Sequence, residues 1–205
     1  MILEQEPEIV DLAKFLNKMG AKIEGAGTNI IKITGVEKLK DVSYSIMPDR
    51  IEAGTLLCAV AITGGKVKLN KVIPEHINQI LNKLEQTGCE IKIENKCVCL
   101  KAPKKIKAVD IKPMPYPGFP TDMQSVFASI LTIAKGNSVI VENIFENRYK
   151  YVSELKRMGA KITVEGRIAV IKGCKKLSGA TVESTDLRGG AALVVAGLVA
   201  KGTTT

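Results

Sequence analysis

Tryptophan is absent from the 205 residues, histidine occurs once, and aromatic side chains make up only 4 %. Platforms on which nucleic-acid bases could stack are therefore poorly supplied. The lone His76 follows Pro74 in the first turn of an expected helix, a place that suits a surface residue better than a catalyst. No CxxC pair occurs among the five cysteines Cys58, Cys89, Cys97, Cys99 and Cys174. That odd number and spacing give neither a metal site nor a disulfide framework, so buried, reduced thiols are expected. Cys97-Val98-Cys99 alternates as a strand does, placing both thiols on one face. No apolar run reaches the length of a membrane span, and no basic-then-apolar signal segment opens the chain, so a cytoplasmic protein that does not enter membranes is expected. Gly25-Ala26-Gly27 is too short for a dinucleotide loop and lies between two strands, so it reads as a turn. No cofactor is expected.

What the chain does have is positive charge. Thirty Lys and Arg against 21 Asp and Glu leave a net +9. Such a balance fits nucleic acid or phosphorylated metabolites. The lysines are spread out, with short clusters such as Lys104-Lys105-Ile106-Lys107 and Lys175-Lys176, and a solvated face is the default for these. Hydrophobic residues at 45 % and charged residues at 25 % are ordinary for a soluble chain with a substantial core.

The chain also repeats itself. Lys18-Met19-Gly20-Ala21-Lys22-Ile23 matches Arg157-Met158-Gly159-Ala160-Lys161-Ile162, with Gln86-Thr87-Gly88-Cys89-Glu90-Ile91 between them. Gly20, Gly88 and Gly159 are 68 and 71 residues apart, and helices expected at Asp49, Asp122 and Asp186 are 73 and 64 apart. Each copy reads helix–strand–strand–helix–strand, an α/β repeat. The last copy reaches Gly202-Thr203-Thr204-Thr205 where its final strand is expected. If the copies are related by rotation, equivalent helix starts point their partial positive charges at one anionic ligand.

The second copy contains Pro115-Tyr116-Pro117-Gly118-Phe119-Pro120-Thr121-Asp122-Met123-Gln124. Three prolines stiffen an extended loop. Thr121 and Gln124 have the spacing of a capping box. Met123, Val126, Phe127, Ile130, Leu131 and Ala134 then mark one apolar helix face, closed by Lys135-Gly136. With Thr121 capping, Asp122 is left either to complement the helix dipole or to serve a site. Asp49 and Glu52 have the spacing of a cap and its partner. Gly189-Gly190 permits close packing or ligand approach, and the sequence does not choose between them.

At Pro120-Thr121-Asp122-Met123-Gln124 the chain resembles the UDP-N-acetylglucosamine 1-carboxyvinyltransferases, a branch of the enolpyruvyl transferases related to the enolpyruvylshikimate-phosphate synthases. Glu6-Pro7-Glu8-Ile9-Val10-Asp11-Leu12, Pro48-Asp49-Arg50-Ile51-Glu52-Ala53-Gly54-Thr55, Ile144-Phe145-Glu146-Asn147-Arg148 and Thr185-Asp186-Leu187-Arg188 resemble that family's motifs in the same order. The resemblance implies an inside-out α/β barrel fold, here incomplete, with residues 1–47 ending one domain and 48–205 forming most of the other. It implies transfer of the enolpyruvyl group of phosphoenolpyruvate to the 3-hydroxyl of UDP-N-acetylglucosamine, the first committed step of peptidoglycan synthesis, and hence a part in cell-wall biogenesis, cell shape and division. It makes Asp122 the residue near the sugar hydroxyl and a general base. Ile144 is expected to contact the nucleotide sugar, Arg148 and Arg188 to lie near the anionic substrates, and Glu6, Asp49 and Asp186 to line the cleft.

The chemistry is compatible. Addition–elimination on phosphoenolpyruvate needs a base for the hydroxyl, an acid for the vinyl carbon and cations for phosphate and carboxylate. At a helix start the dipole lowers the pKa of Asp122, and loss of water on closure raises it again. The arginines offer planar, permanently charged forks. The family's cysteine loop, Lys-Asn pair and further arginines correspond to nothing between Met1 and Thr205, and no cysteine here stands in such a context. The isolated chain is therefore expected to be inactive. Two other classes stay open: a sugar-nucleotide-binding or assembly half completed by a complementary fragment, and a basic nucleic-acid-binding protein, for which no recognition motif is present.

Overall fold

The computed structural model describes residues 5–184 and 186–205. It divides into two units, residues 1–48 with 115–118, and residues 49–114 with 119–205.

In the first unit, α1 (Pro7–Lys18) starts on a proline and ends on a lysine, as the helix dipole favours. Gly20, at φ +103°, takes the left-handed turn out of it. Asn17 then grips the chain at both ends of its amide: Nδ2 donates to Ile23 O at 2.7 Å, and Ile23 N–H donates to Oδ1 at 2.8 Å. Strands β1 (Lys22–Glu24) and β2 (Lys32–Thr34) pair antiparallel, Ile23 opposite Ile33. The Gly25–Gly27 segment is the turn between them, as the spacing implied. A Cβ at Gly25 would lie 2.1 Å from Ile30 O, so only glycine closes it.

In the second unit, α2 (Arg50–Thr63) leads to β3 (Lys66–Asn70), a 3-10 turn (Pro74–His76), α3 (Asn78–Gln86), β4 (Glu90–Glu94) and β5 (Cys97–Lys101). After the long loop come a 3-10 turn (Thr121–Met123), α4 (Gln124–Leu131) and β6 (Asn137–Val141). The chain continues through α5 (Tyr151–Arg157), β7 (Lys161–Glu165), β8 (Ile168–Lys172), β9 (Leu177–Ser178), α6 (Leu187–Gly197) and β10 (Ala200–Lys201). The helix expected from Pro74 is only a 3-10 turn there; Ile77, at φ −121° and ψ 12°, interrupts it before α3 begins. His76 sits half-buried in that turn.

Matching backbone bonds show that the copies are structural. Met19, Thr87 and Met158, each just before its turn glycine, accept from Lys40, Lys107 and Ser178 N–H at 2.8, 2.9 and 2.9 Å. The strand ending one copy nevertheless pairs with the next. Strand β3 joins β5 and β4 in the order β3-β5-β4, and β6 joins β8 and β7 in the order β6-β8-β7, all antiparallel. The final strand expected around Gly202–Thr205 is present slightly earlier, as β10, parallel to β9.

Helices α2, α4 and α6 pack on one another, β3 and β5 pack on α2, and β6 and β8 pack on α4. Strand β8 buries Ala169 and Ile171 toward the helices and leaves Ile168 and Val170 partly in water. Helix α4 was expected to bury one face, but all eight of its residues are buried. Its two serines are matched, while Gln124 Nε2 lies buried without a hydrogen-bond partner among the described residues. Ser125 and Ser129 hydroxyls, one helical turn apart, donate to Arg188 O and Ala192 O of α6 at 2.8 and 2.7 Å. Gln124 Oε1 accepts from Tyr151 at 3.0 Å. Each such bond contributes about 1 kcal/mol net, and leaving a partner buried and unpaired costs more.

All five cysteines are free. Cys58 and Cys89 are buried as expected, and burial pushes both thiols up, but Cys97, Cys99 and Cys174 are half-exposed. For Cys97 and Cys99 the reason is that β5 turns Val98 and Leu100 to the core. Among the described residues no helix is long and apolar enough to cross a membrane, and no group of His, Cys, Asp or Glu has metal-site geometry.

Candidate active site

Three chain segments meet at Asp122: the 3-10 turn before α4, the loop after β6 and the first turn of α6. Arg148 Nη2 donates to Asp122 Oδ1, and Arg188 Nη2 donates to Oδ2 at 2.9 Å. The carboxylate thus stands between two guanidinium groups that are themselves largely covered, 14 % and 28 % exposed against 38 % for Asp122.

Burial resists ionisation of Asp122, but the hydrogen bonds and charges of Arg188 and then Arg148 outweigh it and hold the carboxyl below its usual range. The direction agrees with the sequence reading. The cause differs, since two arginines rather than the helix dipole set it. A lowered carboxyl pKa stabilises the fold above the unfolded-state value, about 3.9, and that contribution disappears as pH falls through the lower folded value. Below about pH 4 the melting temperature of the wild type should therefore fall more steeply than that of Asp122→Asn. Parallel acid melting curves would refute this.

The expected capping box at Thr121 does not form. Pro120 is the flanking residue, with no side-chain cap, and the Thr121 hydroxyl donates instead to Glu142 Oε2 at 2.9 Å. The physical reason is that the chain enters α4 through a 3-10 turn, and a nearby buried carboxylate is the stronger acceptor. Glu142, 1 % exposed, also accepts from the Ile144 and Phe145 N–H groups through Oε1 at 2.8 and 3.2 Å. Sequence reasoning missed Glu142, because a single acid after a strand carries no pattern. It missed Phe145 too, whose ring lies 4.9 Å from the Arg148 guanidinium carbon and stacks on it. Tyr149 follows, its hydroxyl donating to Ile140 O at 3.0 Å and its pKa pushed by burial to about 12.

The other expected residues are placed as follows. Asp186 caps α6, accepting from Arg188 and Gly189 N–H at 2.9 and 2.7 Å, and so orients the turn that carries Arg188. Its neighbour Thr185 lies outside the described residues. Asp49 caps α2 in the same way, from Ile51 and Glu52 N–H at 2.7 and 3.1 Å. It is exposed, and its carboxylate is engaged by the start of α2 rather than by the Asp122 cluster. Ile144 is tied to that cluster through Glu142. Glu6 belongs to the first unit, at the start of α1. Gly189 and Gly190 serve close packing, for a Cβ would fall 3.0 Å from Asp186 Oδ2 and 2.4 Å from Ser184 Oγ respectively.

Comparison with known proteins places the chain in a family. The model of EPSP synthase (3-phosphoshikimate 1-carboxyvinyltransferase) matches residues 1–205. UDP-N-acetylglucosamine 1-carboxyvinyltransferase 1 of Caldanaerobacter subterraneus subsp. tengcongensis is 56 % identical over 200 residues, covering 98 % of this chain and 48 % of the relative. UDP-N-acetylglucosamine 1-carboxyvinyltransferase of Trichlorobacter lovleyi is 58 % identical with the same coverage. The chain thus spans about half the length of these relatives. Among solved structures, the enolpyruvyl transferase NikO from Streptomyces tendae superimposes with a TM-score of 0.82 at 25 % identity, over 97 % of this chain and 48 % of that one. EPSP synthase from Acinetobacter baumannii gives 0.70 at 22 % identity over 92 % and 48 %, a likeness of fold.

Proposed function

Because the chain belongs to the EPSP synthase (3-phosphoshikimate 1-carboxyvinyltransferase) family, we propose that it carries part of an enolpyruvyl transferase site, one that joins phosphoenolpyruvate to the 3-hydroxyl of UDP-N-acetylglucosamine in cytoplasmic peptidoglycan synthesis. The observation behind this reading is the Asp122 carboxylate held between Arg148 and Arg188 at the start of two packed helices. In this reading residues 1–47 end one domain and 48–205 make most of a second.

The pairing of Asp122 gives the reading a mechanism. Bound to two arginines, the carboxylate is a weak base. An anionic substrate group competes for the same guanidinium forks. When it draws them away, burial is left to act alone on Asp122, and its proton affinity rises where a sugar hydroxyl must lose a proton. Ile144 and its neighbours present the nucleotide-sugar side of the site, and Asp49 and Asp186 border it. In the addition step the hydroxyl oxygen bonds to C2 of phosphoenolpyruvate while C3 takes a proton. In the elimination step C3 loses a proton and phosphate leaves. Neither arginine releases a proton, so in this reading the guanidinium groups hold the anionic groups and Asp122 is the base.

Titration calorimetry with UDP-N-acetylglucosamine should give saturable binding to the chain, weakened about tenfold by Asp122→Ala, or about 1.4 kcal/mol. No heat from a chain folded by circular dichroism would overturn the reading for this protein. The half-length match to the relatives favours a second reading of the same site, a sugar-nucleotide-binding half that a complementary polypeptide completes. Both readings expect no phosphate release from the chain alone, and turnover above background would refute that expectation.

A further inference from the structure

The buried carboxylate of Glu142 stands outside every role described so far. It is 1 % exposed, and both of its oxygens are used. Oε2 accepts from the Thr121 hydroxyl, next to Asp122 in the chain. Oε1 accepts from Ile144 and Phe145 N–H, the start of the loop that ends in Arg148. One side chain thus ties the segment bearing the carboxylate to the segment bearing its arginine.

The surroundings make this tie consequential. The loop 142–148 contains no regular element to hold it. Its far end is anchored by Tyr149, whose one hydroxyl proton is shared between Ile140 O and Arg167 O, 3.0 and 3.1 Å away. Its near end is anchored by Glu142, both through the side chain and through its own N–H, which donates to Arg167 O at 2.9 Å. Between the anchors, Phe145 stacks on the Arg148 guanidinium. Removing the Glu142 carboxylate would leave two N–H groups and a hydroxyl without their acceptor and free the part of the loop that carries Phe145. Arg148 would keep its charge and lose its fixed position.

We infer that Glu142 is a positioning residue of this site: it sets the Phe145–Arg148 loop against the Asp122 turn and so determines how the Arg148 guanidinium meets the Asp122 carboxylate. The consequence for substrate rests on the enolpyruvyl-transferase reading above. The consequence for the Asp122–Arg148 pair does not.

The test separates the two. Carbon-13 NMR titration of the Asp122 carboxyl in the whole chain reads the pair directly. In Glu142→Ala the Asp122 midpoint should rise by about one pH unit, since a nearby guanidinium lowers an aspartate by one to three units. Glu142→Gln should leave it near the wild-type value, because an amide oxygen still accepts both backbone N–H groups and the Thr121 hydroxyl can turn to accept from the amide nitrogen. A second arm compares the alanine change in an Arg148→Ala background, where the Asp122 midpoint should not move further. An unchanged midpoint in a folded Glu142→Ala chain overturns the inference, as does an equal rise with Arg148 already removed. If Glu142→Ala does not fold, Thr121→Val cuts only the tie to the Asp122 turn and should raise the midpoint in the same direction; no rise there overturns the inference. Calorimetry with UDP-N-acetylglucosamine then reads the functional consequence, a loss of about tenfold in Glu142→Ala and of less than about threefold in Glu142→Gln. A midpoint that moves as expected in a chain that never binds the nucleotide sugar upholds the positioning role and refutes the functional reading.

Discussion

Phe127→Ala should lower the stability of the chain by about 4 kcal/mol, the middle of the range for an emptied aromatic site in a close-packed core. Phe127 is fully buried in the middle of α4, in edge-to-face contact with Phe119 at 5.4 Å between ring centres. Helix α4 is enclosed on every side by α2, α6 and the sheets, so little can collapse into the space left behind. The functional effect should follow from position. Asp122 is carried by the turn that runs directly into α4, and a helix that shifts in its socket takes Asp122 away from Arg148 and Arg188. Chemical denaturation measures the first effect; a change below about 1 kcal/mol would mean that α4 is less enclosed than it is here. Phe127→Leu keeps most of the volume and should cost less than half as much.

Arg188→Ala should have the largest effect on ligand affinity. Arg188 holds Asp122 Oδ2 at 2.9 Å and is the strongest of the two arginine influences on that carboxyl. Its removal leaves Arg148 as the only cation bonded to Asp122 among the described residues. Affinity for an anionic substrate should fall about a hundredfold, near 3 kcal/mol, within the range seen when one partner of a hydrogen-bonded charge pair is cut away. Arg188→Lys should recover only part of it, because an ammonium gives no planar fork. The fold should hold, since the α6 cap is made by the Asp186 side chain to backbone N–H groups and survives the substitution. Calorimetry on both variants checks this; equal affinity in Arg188→Ala and wild type would remove Arg188 from the proposed site.

Much of the candidate site was legible in the chain. Asp122, Arg148 and Arg188 are 26 and 40 residues apart in sequence and were singled out through motifs, and the structure brings their charged ends together. The cap of α2 was legible because an Asp before a helix has a local physical task, accepting from the first free N–H groups, a task that Asp186 also performs for α6. The capping box at Thr121 was misread for a related reason. A local rule assumes a local partner, and the acceptor that Thr121 chose, Glu142, is 21 residues away. Glu142 itself was invisible for the same reason, since its three donors come from two segments that only folding brings together.

By itself the sequence determined what depends on neighbours in the chain. The turn glycines Gly20, Gly88 and Gly159, all at positive φ, announce each copy of the repeat because no other residue leaves a helix so easily there. The alternation of β8 and the apolar run of α4 announce a strand and a helix. Tertiary structure alone decided how the copies combine. The strand that ends one copy, β3 or β6, pairs with the hairpin of the next, so the sheets cut across the repeat visible in the residues. It also decided that α4 is buried all round, with Ser125 and Ser129 bonded to α6 and Gln124 to Tyr151. The physical reason is the same in each case. A backbone edge or a buried hydroxyl specifies that it must be paired, and only the packed chain settles with what.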